Sequence, residues 1–282
     1  MKSLLALVPI LCWWSAGCRS EADCDDGRVD EECPADPMEH TVFVAREGSL
    51  AAFRLGTGEE LPDGIDDVEG PFGMQALADG HVLVNLSERD EILVVDGYTM
   101  EQVTRIPSSN VRARRPVRSY ITPDRRFWMS LNDGNGGSAA FVDLRNGSDD
   151  RFRLLGEIEL GEGHHEAAFS PGSRRVVISN SSDCDDVLSV YDYTDLDDGV
   201  RVGMLSADDA GLDGDDPGEG EFDPSFCDAT GARGVAPRPS GCAAATNGHA
   251  FCTLAGTGDI VAVGLDEEEP TFEVLETGGT GG

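Results

Sequence analysis

The feature that most constrains this chain is an internal repeat with a period of about 45 residues. Four segments follow one plan of short apolar stretches separated by polar turns: 71–107, 116–160, 163–205 and 236–275. The repeats start 45 residues apart between Pro71 and Pro116, and 48 residues apart between Pro116 and His164. The apolar stretches alternate in polarity, are bounded by Gly, Asp, Asn and Pro, and show no helical periodicity. This pattern predicts an all-β fold with four short strands in each unit.

A sheet of this kind has to bury both faces against neighbouring sheets, which is the arrangement of a β-propeller blade. A β-sandwich also has short strands, but not turns in this regular register. We therefore predict a β-propeller domain over 41–282, with one four-stranded blade in each segment. The preceding piece, 40–61, reads as the outer strands of an incomplete unit, and 208–235 as an acidic insertion before the last blade.

Four blades and a partial one leave sheet faces and edges uncovered, which is an aggregation hazard. We therefore expect the propeller to be incomplete in this sequence, as in a truncated gene product that lacks two or three blades. A strongly curved, solitary form of four or five blades is the alternative.

Two stretches of the third repeat resemble the repeats of a known group of proteins. The stretch SPGSRRVVISN (170–180), followed by LSVYD (188–192), resembles the repeats of YVTN-type propellers, which are similar to WD-repeat and quinoprotein amine dehydrogenase-like propellers. The resemblance covers about 71–275 and implies a bacterial envelope protein. It does not imply one function, because the group includes lactonases, quinoprotein and haem-enzyme domains, metal chaperones and plain surface proteins.

The first residues read as an export signal. Residues 1–17 begin with Lys2, continue with an apolar run at 4–14 and end in Ser-Ala-Gly, which is the pattern of a signal peptide. The next residue, Cys18, stands where bacterial lipoproteins carry their lipid, although Ser15 replaces the usual Leu. We expect export to the bacterial periplasm or outer membrane with a lipid anchor on Cys18, and ordinary secretion is the alternative. Residues 18–40 then form an acidic tether.

The charge of the chain limits its partners. The formal net charge is −33, and Lys2 is the only lysine, so every later basic side chain is Arg or His. A surface this negative repels nucleic acid and anionic lipid headgroups, which argues against nucleic acid as a partner.

The cysteines predict disulfides in an oxidising compartment. Cys24 and Cys33 close a short loop in the tether. Asn247-Gly248 is a hairpin turn signal, which places Cys242 opposite or diagonal to Cys252. Cys184 and Cys227 then pair by elimination, although six cysteines allow other pairings.

The adjacent histidines suggest a metal site. When the repeats are aligned, His164-His165-Glu166 falls opposite starts of the form Pro-x-x in the other blades, at the channel end of the first strand. His164 and Glu166 would share one face of that strand, while His165 points to the other. A divalent metal, zinc or calcium, is the cofactor that these three residues would hold. The alternative is a hydrogen-bonded histidine at the channel mouth.

An arginine-rich stretch suggests an anion site. Residues 111–126 hold six of the twenty arginines in an otherwise acidic chain. Arg114, Arg115 and Arg118 lie at the channel end of their blade and could clamp a carboxylate or phosphate. The alternative is a salt-bridged loop that balances nearby acids.

Catalytic motifs of the GxSxG, P-loop, HExxH and CxxCH types are absent from the sequence. We therefore favour a non-catalytic binding scaffold of the cell envelope, with a protein, small ligand or metal bound at the channel face. The alternative is a lactonase-like hydrolase or another propeller enzyme with its site at the central channel.

Overall fold

A computed structural model describes residues 41–61, 64–110, 115–134, 137–160, 165–172, 174–180, 187–194, 196, 200–205, 239–254 and 258–275. Every regular element in these ranges is a β-strand. The chain divides into two compact units, Met1–Pro107 and Ser108–Gly282. No helix in the described ranges is long and apolar enough to cross a membrane.

The first unit contains two antiparallel sheets. A three-stranded sheet is formed by β1 (Thr41–Arg46), β2 (Ser49–Arg54) and β3 (Ile65–Asp66). Blade 1 is a four-stranded meander of β4 (Pro71–Ala76), β5 (His81–Leu86), β6 (Glu91–Asp96) and β7 (Glu101–Pro107). One core of buried side chains joins these two sheets, including Phe43, Leu50 and Val84.

The second unit contains three further four-stranded meanders, each in sequence order. Blade 2 consists of β8 (Pro116–Ile121), β9 (Phe127–Asn132), β10 (Ser138–Asp143) and β11 (Leu154–Glu159). Blade 3 consists of β12 (His165–Phe169), β13 (Arg175–Asn180), β14 (Leu188–Asp192) and β15 (Val200–Leu205). Blade 4 consists of β16 (Pro239–Ala244), β17 (His249–Leu254), β18 (Asp259–Gly264) and β19 (Thr271–Leu275). The predicted all-β fold of four-stranded blades is confirmed.

Two apolar cores hold the second unit together, one at each interface between blades. Between blades 2 and 3, an aromatic core contains Phe141, Phe169 and Tyr193. Between blades 3 and 4, the core is mostly aliphatic and contains residues such as Val177 and Val261. Blade 3 contributes alternate side chains to both cores, as the two-residue period of a strand dictates.

An aspartate at the same position of blades 1, 2 and 3 stabilises the turn between the third and fourth strands. Asp96, Asp143 and Asp192 each end the third strand of a blade, and each carboxylate accepts a hydrogen bond from the backbone N–H two residues later, at 2.8 Å. An Asp that bonds its own backbone in this way stabilises a turn locally. The Asp that ends the third strand therefore stabilises the turn to the fourth strand in these three blades.

Asp143 is the most buried of these turn carboxylates. Burial alone would raise its pKa, but hydrogen bonds from the side chain and backbone of Arg145 and from the hydroxyl of Ser148 lower the pKa to about 2. The carboxylate therefore stays charged inside the fold at neutral pH.

One of the three predicted disulfides falls on described residues. Cys242 of β16 lies directly opposite Cys252 of β17, with Cα atoms 4.1 Å apart, and a disulfide joins them. The pairs Cys24–Cys33 and Cys184–Cys227 lie outside the described residues, as do the signal peptide, the tether, Cys18 and the insertion 208–235.

Candidate binding site at the rim of the second unit

The first strands of blades 2, 3 and 4 begin at one end of the second unit. We call this end the rim and define it by residues 115–118, 165–166 and 239–241. Because neighbouring strands are antiparallel, the connections between blades are attached at the rim, as are the turns between second and third strands. Arg115 and Arg118 of the arginine-rich stretch therefore lie at the rim, whereas Arg125 and Arg126 lie in the turn at the opposite end of blade 2. The acidic insertion 208–235, with nine acidic residues and one Arg in its sequence, connects strands whose ends lie at the rim.

Three blades begin with a proline followed by a β-bulge. Pro71, Pro116 and Pro239 each lie opposite the last residue of the second strand, and the register shifts immediately afterwards. Proline suits this place because it donates no hydrogen bond to the ladder. A bulge inserts one unpaired residue and bends the strand, which changes the direction of the side chains that follow it.

The pairing of blade 3 is described from His165 onward and shows no bulge in that range. His165 lies opposite Asn180, and the pairing runs on without a shift to Phe169 and Val176. Asn180 is the last residue of the second strand, so among the described residues His165 lies at the register position that proline holds in the other blades. His164, which the repeat alignment placed opposite the prolines, lies outside the described residues, so that alignment stays a prediction.

Glu166 and Arg118 occupy the same register position in neighbouring blades. Each lies opposite the penultimate residue of its second strand, Ser179 for Glu166 and Leu131 for Arg118. The two side chains form an ion pair in which Arg118 Nε donates to Glu166 Oε1 at 2.7 Å. Their side chains are 35% and 19% exposed respectively, so the pair is partly accessible to a ligand or partner.

Tyr120 completes this arrangement beneath the ion pair. Its hydroxyl donates to Glu166 Oε2 at 2.7 Å and accepts from the backbone N–H of Ala167 at 3.1 Å. Burial raises the pKa of Tyr120, and the negative charge of Glu166 raises it further, so the phenol stays protonated at any physiological pH. Both carboxylate oxygens of Glu166 therefore accept hydrogen bonds from blade 2.

The predicted metal ligands are only partly visible. Glu166 is bonded to Arg118 and Tyr120, while His164 and the side chain of His165 lie outside the described residues. Within the described ranges, no group of three His, Cys, Asp or Glu side chains is arranged to hold a metal ion. The metal hypothesis for His164, His165 and Glu166 stays a prediction.

The predicted anion-binding arginines are distributed differently. Arg118 is the partner of Glu166, and Arg115 is exposed at the rim, where its carbonyl oxygen accepts from the N–H of Asp133 at 3.2 Å. Arg114 lies outside the described residues. The anion-binding role of these three arginines also stays a prediction.

Sequence reasoning did not find Tyr120 or Ser179 as members of this site. Ser179 Oγ accepts from the backbone N–H of Glu166 at 3.0 Å, which holds the start of β12 in place. The sequence contained one indication of this arrangement. Arg118 and Tyr120 are two residues apart, so both side chains lie on the face of β8 that meets blade 3.

The strength of the ion pair can be measured with a double-mutant cycle. We expect Arg118→Met and Glu166→Gln to show a coupling of about 1 kcal/mol in urea unfolding, since the pair is half-buried and hydrogen-bonded. The matched control is Arg153→Met with Asp150→Asn, because that pair is 70% and 53% exposed and should show a coupling near zero. Equal coupling in the two cycles would mean that the rim pair is an ordinary surface contact.

Comparison with known proteins bears on the fold alone. No family model matches the chain, and no curated protein matches it either. Among solved structures, it is similar to the β-propeller domain of Cps50 (Swd1) from Myceliophteria thermophila, with a TM-score of 0.52 and 12% identity. The match covers 85% of this chain and 70% of the other. The repeated four-stranded meanders and this similarity together give the chain a β-propeller fold.

Proposed function

We propose that this chain is a non-catalytic β-propeller scaffold that binds a protein partner at the rim of its second unit. The observation that carries the proposal is the Arg118–Glu166 ion pair, supported by Tyr120. It ties the first strands of two blades together and leaves a partly exposed guanidinium beside a partly exposed carboxylate. A rigid surface that carries both signs of charge selects a partner by electrostatic complementarity.

The charges attached at the rim support a protein partner over a small anion. Arg115 and Arg118 lie at the rim, and the strands on either side of the acidic insertion 208–235 have their nearer ends there too, so arginines and an acidic segment belong to the same end of the unit. An extended protein surface can match such a pattern over many residues, whereas a single small ligand matches only one patch.

The same geometry is less suited to the hydrolase alternative. A lactonase-like enzyme needs several oxygen ligands around a divalent cation. The residues at the register position of Glu166 in the neighbouring blades are Arg118 in blade 2 and Gly241 in blade 4. Arg118 is a cation, and Gly241 has no side chain. Glu166 is bonded to the cation, which opposes the approach of a metal ion.

We propose the cellular setting from the sequence features. The signal-like residues 1–17, the lipid-acceptor position of Cys18 and the YVTN-type repeat residues support a bacterial envelope protein held by a lipid anchor. The acidic stretch 18–40 would then separate the propeller from the membrane surface. Export also suits the disulfide of blade 4, since disulfides persist in oxidising compartments.

Site-specific photo-cross-linking tests binding at the rim. A benzoylphenylalanine at Arg115, which is exposed at the rim, should give discrete adducts with a partner in the native host. The matched control is the same probe at Asp149, which is exposed in the turn at the opposite end of blade 2. We expect adducts from position 115 and none from position 149. Equal adducts from both positions, or none from either, would contradict the proposal.

A further inference from the structure

The disulfide of blade 4 lies in the contact between blades 3 and 4. Cys252 of β17 is fully buried and belongs to the apolar core that also contains Val177 of blade 3. Cys242 packs against the same core but is only partly buried, and it lies in β16, an edge strand of its sheet. Both sulfur atoms are therefore on the face of blade 4 that meets blade 3, and Cys242 is the more accessible residue of the two.

The other blades fill the same pair of register positions without a covalent bond. In each blade the fourth residue of the second strand pairs with a residue of the first strand, and in blade 4 these two residues are Cys252 and Cys242. The corresponding pairs are Met74–Val84 in blade 1, Ser119–Ser130 in blade 2 and Ala167–Ile178 in blade 3. The first hairpin of a blade in this chain therefore forms without a bond between its two strands.

The disulfide also closes a short loop that the hairpin already closes. Cys242 and Cys252 are 10 residues apart in the sequence, and the Asn247-Gly248 turn and the backbone pairing of β16 with β17 lie between and around them. The stabilisation that a disulfide gives by restricting the unfolded chain grows with the length of the loop it closes. Holding the hairpin together is therefore not a sufficient reason for two cysteines at this place.

Reduction of the disulfide increases the space that the two side chains need. Non-bonded sulfur atoms keep a van der Waals distance, whereas the atoms of a disulfide are joined by a covalent bond. Because the strand pairing sets the positions of both backbones, at least one thiol has to turn toward its neighbours. For Cys252 those neighbours are the packed core of blades 3 and 4, in which added volume is destabilising.

We propose that the Cys242–Cys252 disulfide is a thiol–disulfide exchange site that a dithiol reductant opens, and that its reduction loosens the contact of blade 4 with blade 3. A thiolate of the reductant attacks Sγ of the partly exposed Cys242, the S–S bond breaks, and Cys252 leaves as a thiolate that takes a proton from water. The second thiol of the reductant then displaces Cys242 from the mixed disulfide. Two electrons and two protons pass from the dithiol to the protein, and the dithiol becomes a disulfide.

Thiol trapping and hydrogen exchange on the purified chain test the proposal. The folded protein is treated with dithiothreitol at neutral pH without denaturant, its free thiols are alkylated with iodoacetamide, and the alkylated cysteines are identified by mass spectrometry. We expect Cys242 and Cys252 to be alkylated, and the amides of β17 and β18 to exchange with deuterium at least about tenfold faster after reduction. A disulfide that is reduced only when urea unfolds the chain would overturn the proposal, as would equal exchange rates before and after reduction.

The matched control is the double variant Cys242→Ala with Cys252→Val, which uses an alanine of blade 3 and a valine of blade 1 from the same register positions. Cys242→Ser with Cys252→Ser, the pair of blade 2, is a second control should the first fold poorly. Both variants keep the other six of the eight cysteines, so an effect of the reductant on those residues appears in the controls as well. Exchange in β17 and β18 of the controls should change by less than about twofold when dithiothreitol is added. Controls that respond to the reductant as the wild-type chain does would overturn the proposal.

Discussion

Replacing Phe141 by Ala is expected to lower the free energy of unfolding of the second unit by about 3–5 kcal/mol. Phe141 is completely buried between blades 2 and 3. Its ring stacks on Tyr193 with centroids 5.6 Å apart and meets the edge of Phe127 at 6.5 Å. The truncation removes both the buried apolar area and these ring contacts, and it leaves a cavity that a sheet-on-sheet core cannot easily collapse.

Urea unfolding followed by the fluorescence of Trp128 would measure this loss. Trp128 is fully buried in β9, and it is the only tryptophan outside residues 1–17, so its emission reports on blade 2. The control is Phe251→Ala at micromolar concentration, which should cost less than about 1 kcal/mol because the ring is already 40% exposed. If the two substitutions lowered the free energy of unfolding by similar amounts, the aromatic core would contribute no more to stability than an exposed ring does.

Replacing Gly156 by Ala is expected to destabilise the second unit by about 1–3 kcal/mol, because the added methyl group overpacks a contact between two blades. Gly156 lies in β11 and pairs with Phe141. A Cβ at this position would come within 2.8 Å of the carbonyl carbon of Leu196, in the turn of blade 3, and still closer to its oxygen. Backbone atoms cannot move aside as a flexible side chain can, so the two blades would have to separate.

The matched control for this clash is Gly241→Ala, in a strand of the same unit. A Cβ at Gly241 has only Thr253 Oγ1 within 4 Å, at an ordinary contact distance of 3.8 Å, and the position needs no unusual backbone conformation. We expect it to change stability by less than about 0.5 kcal/mol. If Gly156→Ala were equally neutral in the same urea titration, the close approach of β11 to the turn of blade 3 would have to be relaxed in solution.

The fold could be predicted from the sequence because its signal is repeated. Four copies of the same order of strands and turns give the period, and Asp96, Asp143 and Asp192 mark the same turn in three of them. The pairing of Cys242 with Cys252 also followed from a local rule, since the Asn247-Gly248 turn sets the register of its hairpin. Both inferences depend on short-range geometry, which a single sequence contains.

The site could be predicted only in part because its residues come together across blades. Arg118 and Glu166 were identified separately, one as an anion clamp and the other as a metal ligand. The structure shows that they are partners, at a distance set by the packing of two blades. Tyr120 was missed because its hydroxyl reaches a residue of the next blade that is 46 positions away in the sequence, and the spacing of Arg118 and Tyr120 shows only that they share a face.

The bulge that follows each leading proline also decides which side chains stand at the entrance of a blade. In the proline-led blades, an extra residue separates the proline from the strand that follows, whereas the described pairing of blade 3 runs from His165 directly into Glu166. Because the extra residue is unpaired, it changes the side chain at the blade entrance while every later strand pair keeps its partner. The chemistry of the rim can therefore differ between blades of this chain without a change in the cores that join them.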